Sequence, residues 1–222
     1  METKRLILRP WEEADAADLY EYARDPDVGP IAGWPAHTSV EESREIISGA
    51  LGQPETYAIC LKETGRPVGS VGLKLNGTTD MTERDDECEL GYWLGKPYWG
   101  QGIMPEAVRE MLRHAFEDLG MRCVWVGYYD GNEKSHRVQQ KCGFRYQWTT
   151  DEVDVPLMHE VRKGHVSRLT REEWTELSHI HDARSVAPRA QSERSSPSAS
   201  ACTRSGFSTA AASRSGSPLK GE

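Results

Sequence analysis

The chain has 222 residues, of which 37% are hydrophobic and 28% charged, with a formal net charge of −8. That length supports a buried core, and no apolar run approaches a membrane span. Ser178–Glu222 holds five arginines and Lys220 against Asp182, Glu193 and Glu222, a balance of +3 that leaves −11 on residues 1–177. An acidic domain disfavours nucleic acid as a partner and favours a cationic one.

Arg5–Arg9 alternates apolar and polar residues, the period of a strand, and Glu13–Tyr22 has helical spacing up to the Asp25-Pro26-Asp27 break. Ser39 with Glu42 makes a capping-box pattern that opens a helix to about Ala50. Thr56–Leu61 and Pro67–Leu75 read as a hairpin around Thr64-Gly65, followed by a polar loop, Asn76–Asp86, and a strand, Glu87–Leu94. The next helix aligns Val108, Met111, Leu112, Ala115 and Leu119 on one face, with Gly120 to close it. Arg122–Tyr129 predicts a strand, Asn132–Lys141 a helix stopped by Gly143, and Phe144–Thr150 and roughly Val153–Leu169 two more strands. Thr170 with Glu173 caps a last short helix. Helices placed early and in the middle of about seven strands predict a mixed α/β class.

From Ser178 onward Ser, Ala, Arg, Gly and Pro dominate without helical or strand period. This predicts a folded domain over residues 1–177 and a disordered tail over 178–222. Cys60, Cys88, Cys123, Cys142 and Cys202 are dispersed and lack CxxC spacing. Neither a disulfide framework nor a zinc site is expected, and a reducing, cytoplasmic setting is. The start METKRLILRPWEEAD lacks the apolar stretch of a signal peptide.

Trp99-Gly100-Gln101-Gly102-Ile103-Met104-Pro105-Glu106 joins the Glu87–Leu94 strand to the amphipathic helix. Its glycines let the backbone approach a ligand closely, and Pro105 suits a first helical turn, where its missing N–H costs nothing. Free amides at the positive end of a helix suit a phosphorylated cofactor. The absence of a following Gly-Lys-Ser/Thr disfavours a P-loop, and the full dinucleotide glycine fingerprint is missing.

Glu89-Leu90-Gly91-Tyr92-Trp93-Leu94 with Tyr98-Trp99-Gly100-Gln101-Gly102-Ile103-Met104-Pro105-Glu106-Ala107 resembles the core of GNAT N-acetyltransferases. The likeness is to the RimJ/RimL branch, which includes ribosomal-protein N-terminal acetyltransferases. Gly131-Asn132-Glu133-Lys134-Ser135-His136-Arg137-Val138 and Lys141-Cys142-Gly143-Phe144 resemble the second signature of that branch, and the likeness covers about residues 3–177. It implies a central, mostly antiparallel twisted sheet flanked by helices. It also implies an acetyl-CoA site where the sheet splays between the strands around Glu89–Leu94 and Arg122–Tyr129. Pantetheine would bond to backbone near Trp93 and Leu94, and the pyrophosphate would sit on the amides of Gly100, Gln101, Gly102, Ile103 and Met104. No metal is implied. Trp99 stands where the superfamily pattern has Arg or Gln, and Met104 where it has Gly or Ala. Because amides do the binding, a bulkier site follows rather than a dead one.

The resemblance implies direct acetyl transfer to a neutral amine in a ternary complex. Glu89 is the candidate base, acting directly or through water; the alternative makes it one more acid of an exposed strand edge with Asp85, Asp86 and Glu87. Many GNAT proteins carry a tyrosine where this chain has Gln139, and Ser135 lies one turn earlier on the same face. Ser135 is the candidate donor of a hydrogen bond to the departing sulfur; the alternative is an ordinary first-turn serine. Asn132 caps the helix, contacts the pantetheine arm by resemblance, or does both. Glu106 suits the helix dipole and should point away from the pyrophosphate. His114 and His136 fall on polar helix faces and are expected in solvent. His159 and His165 sit on the terminal hairpin, which by resemblance borders the acceptor pocket; the alternative places both on the surface. Trp34 either walls that pocket or plugs the core.

The expected acceptor is a primary amine: a protein N-terminus, an amino acid, a polyamine or an amino-bearing small molecule. Neither nucleic acid nor membrane is expected as a partner, and a homodimer is left open. The rival class is a non-catalytic acyl-CoA-binding module. Trp99, Met104 and Gln139 allow it, and retention of Glu89, Asn132 and Ser135 opposes it.

Overall fold

The computed structural model describes residues 1–186, with side chains to residue 179. Seven strands, β1 (Leu6–Arg9), β2 (Thr56–Leu61), β3 (Pro67–Lys74), β4 (Glu87–Leu94), β5 (Cys123–Tyr129), β6 (Arg145–Val155) and β7 (Glu160–Thr170), form one sheet in the order β1-β2-β3-β4-β5-β7-β6. The helices are α1 (Ala16–Ala23), α2 (Gly29–Ala32), α3 (Val40–Ser48), α4 (Ile103–Arg113), α5 (Glu133–Lys141) and α6 (Arg171–Val186). Neighbouring strands are antiparallel except β4 and β5. That parallel pair is joined only over Glu87–Glu89 opposite Cys123–Trp125. Beyond it the strands part, and the β4 peptide groups from Leu90 to Leu94 have no strand partner on that side. The mixed α/β class and the splay both match expectation.

Strand alternation explains how the sheet is covered on two faces. Leu6, Leu8 and Ile59 point into a core with Ile103, Ala107, Val108, Met111 and Leu112 of α4. Ala58 and Cys60 point the other way, against Trp11, Leu19, Ala23 and Ile47 of the α1–α3 layer. Both helix caps form, the first as half of a capping box: the Glu42 N–H donates to Ser39 Oγ at 3.0 Å, while the Glu42 carboxylate accepts from the Thr38 N–H instead of that of Ser39. Thr170 and Glu173 exchange bonds of 3.0 and 3.3 Å.

Four features depart from the sequence reading. The regular turns of α4 end at Arg113 and pass into a π turn, His114–Asp118, whose closing bond runs from the Leu119 N–H to the His114 carbonyl at 3.0 Å. The extra residue buries successive Ala115 and Phe116, leaving Leu119 only partly covered. It also turns His114 away from solvent, with Nε2 2.7 Å from Glu55 and Nδ1 2.8 Å from Asp118. The break expected near residues 151–152 is a bulge within β6, and the chain reverses later, at Pro156–Met158 and His159 (φ 52°). Proline cannot continue the ladder, so the reversal falls where the donor is missing. The short α2 was not expected. Finally, α6 continues past Leu177 to Val186; the remainder of the expected tail lies outside the described residues.

One long-range contact ties the first strand to the start of α4. Glu106 accepts from Thr3 Oγ1 at 2.6 Å, the Arg5 N–H at 2.8 Å and Arg5 Nε at 2.7 Å. Burial works to raise this carboxyl's pKa, but the bonds from Thr3 and Arg5 outweigh it and hold the group below its ordinary value. Such a group adds stability that is complete above the unfolded pKa, about 4.3, and is lost as pH falls through the lower folded value. Glu106→Gln is expected to lower stability near neutral pH by about 1–2 kcal/mol, with the half-exposed Arg5 arm discounted for screening. The gap from the wild type should close on acidification below about pH 4 in denaturant melts.

Candidate active site

A cleft of about 1030 Å³ opens where β4 and β5 part. The end of β4 (Tyr92, Trp93, Leu94) and the Trp99–Met104 turn form one wall, and the start of α5 with Asn132 and Ser135 forms another. Pro30 and Ile31 of α2 and Arg162 of β7 close the far end, where Arg162 Nη1 donates to the Pro30 carbonyl at 2.6 Å.

Gly100 (φ 76°) and Gly102 (φ 74°) occupy the left-handed region, which costs other residues about 1–2 kcal/mol. Gly102 caps α4 without a side chain. Among the described residues, the N–H groups of Gly100, Gln101, Gly102, Ile103 and Met104 donate to no protein acceptor. Arg5 Nη1 binds the Gln101 carbonyl at 3.0 Å on the outside of the turn. A trans peptide sets its C=O and N–H in opposite directions, so the Gly102 N–H points away from Arg5. Glu106, bound to Thr3 and Arg5, is likewise held off the ligand side, as expected. The Gln101 side chain folds onto the Pro97 carbonyl at 2.8 Å and lies outside the cleft wall.

The two bulky departures pack into the wall. Met104 is buried in the core beneath α4, and Trp99 Nε1 donates to the Leu94 carbonyl at 2.8 Å. Lys134 of α5 places its ammonium 4.3 Å from the Trp99 ring centroid, a cation–π contact that brings a positive charge to the turn.

Asn132 is the N-cap of α5, and its Oδ1 accepts the Ser135 N–H at 3.2 Å. The Ser135 hydroxyl lies 2.9 Å from the Tyr92 phenol and 3.4 Å from Gln139 Nε2. Burial pushes the Tyr92 pKa above its ordinary value, while bonds with Ser135 and Gln139 work the other way.

Glu89 is not in the cleft wall with Ser135. It is buried on β4, with Oε1 2.8 Å from Lys74 Nζ and Oε2 2.6 Å from Thr79 Oγ1. Alternation puts Glu89, Gly91 and Trp93 on one face of β4 and Tyr92 on the other. Between Glu89 and Trp93, a Cβ at Gly91 would meet nothing within 4 Å, so the face is open there. Each engaged carboxylate oxygen keeps a further lone pair to accept with.

The neighbouring acid Glu87 binds Trp125 Nε1 at 2.6 Å and Thr82 Oγ1 at 2.9 Å, pinning the Asn76–Asp86 loop to the sheet. Trp34 packs edge-on to Trp93 at 5.8 Å within the α1–α3 core and so plugs it rather than walling the cleft. His136 stacks on Tyr128 at 5.0 Å, and His165 binds Thr149 and Asp130. Neither these nor His159 lines the cleft. Sequence reasoning missed Tyr92, Lys134 and Arg162 as cleft residues. Only Tyr92 carried a signal, since the strand period puts it opposite Trp93.

A mixed sheet splayed beside a helix N-terminus with free amides is an architecture suited to an anionic, phosphorylated ligand. Residues 5–145 match the model of the acetyltransferase (GNAT) domain, and the chain belongs to the GNAT family of acetyltransferases. The uncharacterized N-acetyltransferase p20 of Bacillus licheniformis is 28% identical over 148 residues, 64% of this chain and 80% of that protein. The uncharacterized N-acetyltransferase YoaA of Bacillus subtilis is 25% identical over 150 residues, 65% and 82% of the respective chains. A GNAT-family acetyltransferase from Bacillus anthracis superposes with TM-score 0.67 at 20% identity, over 78% of this chain and 98% of that one. The ribosomal-protein-S5-alanine acetyltransferase of Vibrio fischeri does so with TM-score 0.61 at 17% identity, over 78% and 97%. These structural likenesses show the fold. The family sets aside the non-catalytic module: the chain is an acyltransferase.

GNAT acetyltransferases use acetyl-CoA, and the unpaired amides from Gly100 to Met104 fit its pyrophosphate. Gly102→Ala strains those amides by about 1–2 kcal/mol. Calorimetry with acetyl-CoA is expected to show binding weaker by about tenfold, with an unchanged far-ultraviolet circular dichroism spectrum.

Proposed function

We propose that this protein moves the acetyl group of acetyl-CoA onto a primary amine by direct attack in a ternary complex, as a RimJ/RimL-like member of its family. The carrying observation is that one cleft, at the parting of β4 and β5, holds both a run of free amides and the Ser135 hydroxyl. Amides near Gly102 hold the pyrophosphate, and Asn132 and the unpaired β4 edge near Trp93 and Leu94 hold the pantetheine arm. The acceptor amine approaches over Gly91, on the face that Glu89 and Trp93 share. Glu89, directly or through a water, takes the proton that must leave the amine before its lone pair can attack. As the nitrogen–carbon bond forms and the carbon–sulfur bond breaks, Ser135 donates a hydrogen bond to the sulfur.

A cationic acceptor is supported by the acidic balance of −11 over residues 1–177. The name of the Vibrio fischeri relative makes a protein N-terminus the first acceptor to test. The cytoplasm is the proposed location: Cys60, Cys88, Cys123 and Cys142 are buried and free, and burial pushes the Cys60 and Cys142 thiols up to about 11. Among the described residues, no helix is long and apolar enough to cross a membrane.

A thiol-release assay against N-terminal peptides, polyamines, aminoglycosides and amino acids tests the reading; binding of acetyl-CoA without turnover on any amine would overturn it. With the true acceptor, Glu89→Gln is expected to lower kcat about 10²-fold or more; wild-type kinetics at saturation would remove Glu89 from the mechanism. Gly91→Val fills the open face without straining a strand. It is expected to raise the acceptor KM while leaving acetyl-CoA affinity unchanged, and an unmoved acceptor KM would place the amine elsewhere.

A further inference from the structure

The Ser135 hydroxyl lies within hydrogen-bond distance of Tyr92, whose phenol can give or take the proton, and of Gln139, whose amide nitrogen can only donate. A serine hydroxyl has one proton to give and two lone pairs to fill. Tyr92 Oη lies 2.9 Å from Ser135 Oγ and 3.3 Å from the Ser135 carbonyl. Gln139 Nε2 lies 3.4 Å from the same Oγ. The Gln139 amide is oriented by a second bond, from Nε2 to the Gly127 carbonyl at 3.3 Å; the flipped amide would set two oxygens against each other there. Tyr92 comes from β4 and Ser135 from α5, on opposite sides of the splay. Burial raises the phenol's pKa, so Tyr92 keeps its proton and must place it on an acceptor. The nearest acceptor is Ser135 Oγ.

We propose that Tyr92 is a positioning residue for acetyl transfer: with Gln139 it fills both lone pairs of Ser135 Oγ and leaves the serine proton directed into the cleft, at the sulfur that departs with coenzyme A. This rests on the acetyl-CoA reading of the cleft and on Ser135 as the donor. When the carbon–sulfur bond breaks, its electron pair goes to sulfur, which accepts the Ser135 hydrogen bond and then takes a proton from solvent. The ammonium proton goes to Glu89 before attack, and the second N–H proton, released as the amide forms, goes to solvent. Tyr92 loses none; its donation polarises the serine O–H and fixes its direction.

Tyr92→Phe removes one hydroxyl and keeps the ring. The expected result is a kcat lower by roughly tenfold, less than for loss of a donor that touches the reacting atoms, with acetyl-CoA affinity and acceptor KM unchanged. Tyr92→Phe/Ser135→Ala should be no slower than Ser135→Ala alone, because the phenol acts only through the serine. A second readout is the thiol of bound coenzyme A, titrated by thiolate absorbance against the desulfo-coenzyme A complex. Its pKa should be lowered in the wild type, and both Tyr92→Phe and Ser135→Ala should abolish the lowering.

Wild-type kcat in Tyr92→Phe beside a slow Ser135→Ala would overturn the proposal, as would multiplying effects in the double variant. A silent Ser135→Ala would overturn the donor role of the serine itself, and absent acetyl-CoA binding would overturn the reading of the cleft. Should Tyr92→Phe fail to fold, Gln139→Leu removes the other donor, and the same loss of kcat and of the thiol signature is expected.

Discussion

The parting of β4 from β5 after Glu89 and Trp125 is the constraint on which the rest depends. Peptide groups that lose a strand partner must find water or another group; beyond Leu90 the β4 edge keeps unspent donors and acceptors, apart from the Leu94 carbonyl, which takes the Trp99 Nε1 bond. Strand pairing would close such a gap unless side chains prop it open. Here Tyr92 reaches from β4 to Ser135, and Gln139 ties α5 to the Gly127 carbonyl of β5. The groups that hold the strands apart are thus the groups a ligand would meet at the base of the cleft, and stability and chemistry share them.

The start of α4 is fixed by the opposite strategy, from outside the cleft. Ile103, Ala107, Val108, Met111 and Leu112 bury one face of the helix against the sheet and set its axis. Burial alone leaves the first turn free to fray, since its N–H groups have no partners within the helix. Arg5 and Thr3, held by β1, grip Glu106 and the Gln101 carbonyl. That tether stiffens the turn without using the amides. A conventional side-chain cap at position 102 would have consumed the donors that a phosphate needs.

What was legible in the chain was local. The sequence pattern located the first five strands closely, capping pairs opened α3 and α6, and glycines marked the turn into α4. Pro156 also carried its signal, but a bulge before it imitated a strand end and displaced the expected reversal. The π turn left no trace in the apolar spacing, because a shift of one residue keeps Ala115 buried either way. In the site, main-chain chemistry was readable and side-chain partnership was not. Lys74 lies 15 positions from Glu89, and Tyr92 lies 43 from Ser135. Those pairs are set by register and by the crossing of the splay, which no window along the sequence contains. Glu89 therefore read either as a base or as one more acid of a clustered strand edge, and Ser135 either as a donor to sulfur or as an ordinary first-turn serine.

An acidic domain that takes a polyphosphate ligand presents an apparent contradiction, resolved by distance. At physiological ionic strength, charge is screened over about 8 Å, so the domain's total governs encounter while the groups at the cleft govern binding. The positive ends of α4 and α5 both face that cleft, and Lys134, Arg137 and Lys141 line it. Of its acids, Asp27 is bound by Lys96 and Asp130 by His165. Trp99 stands at the head of the turn, and its ring carries Lys134, so a positive charge reaches the turn from α5. A lysine stacked on an indole is held by a quadrupole rather than by a carboxylate, and it retains its full charge for an incoming phosphate.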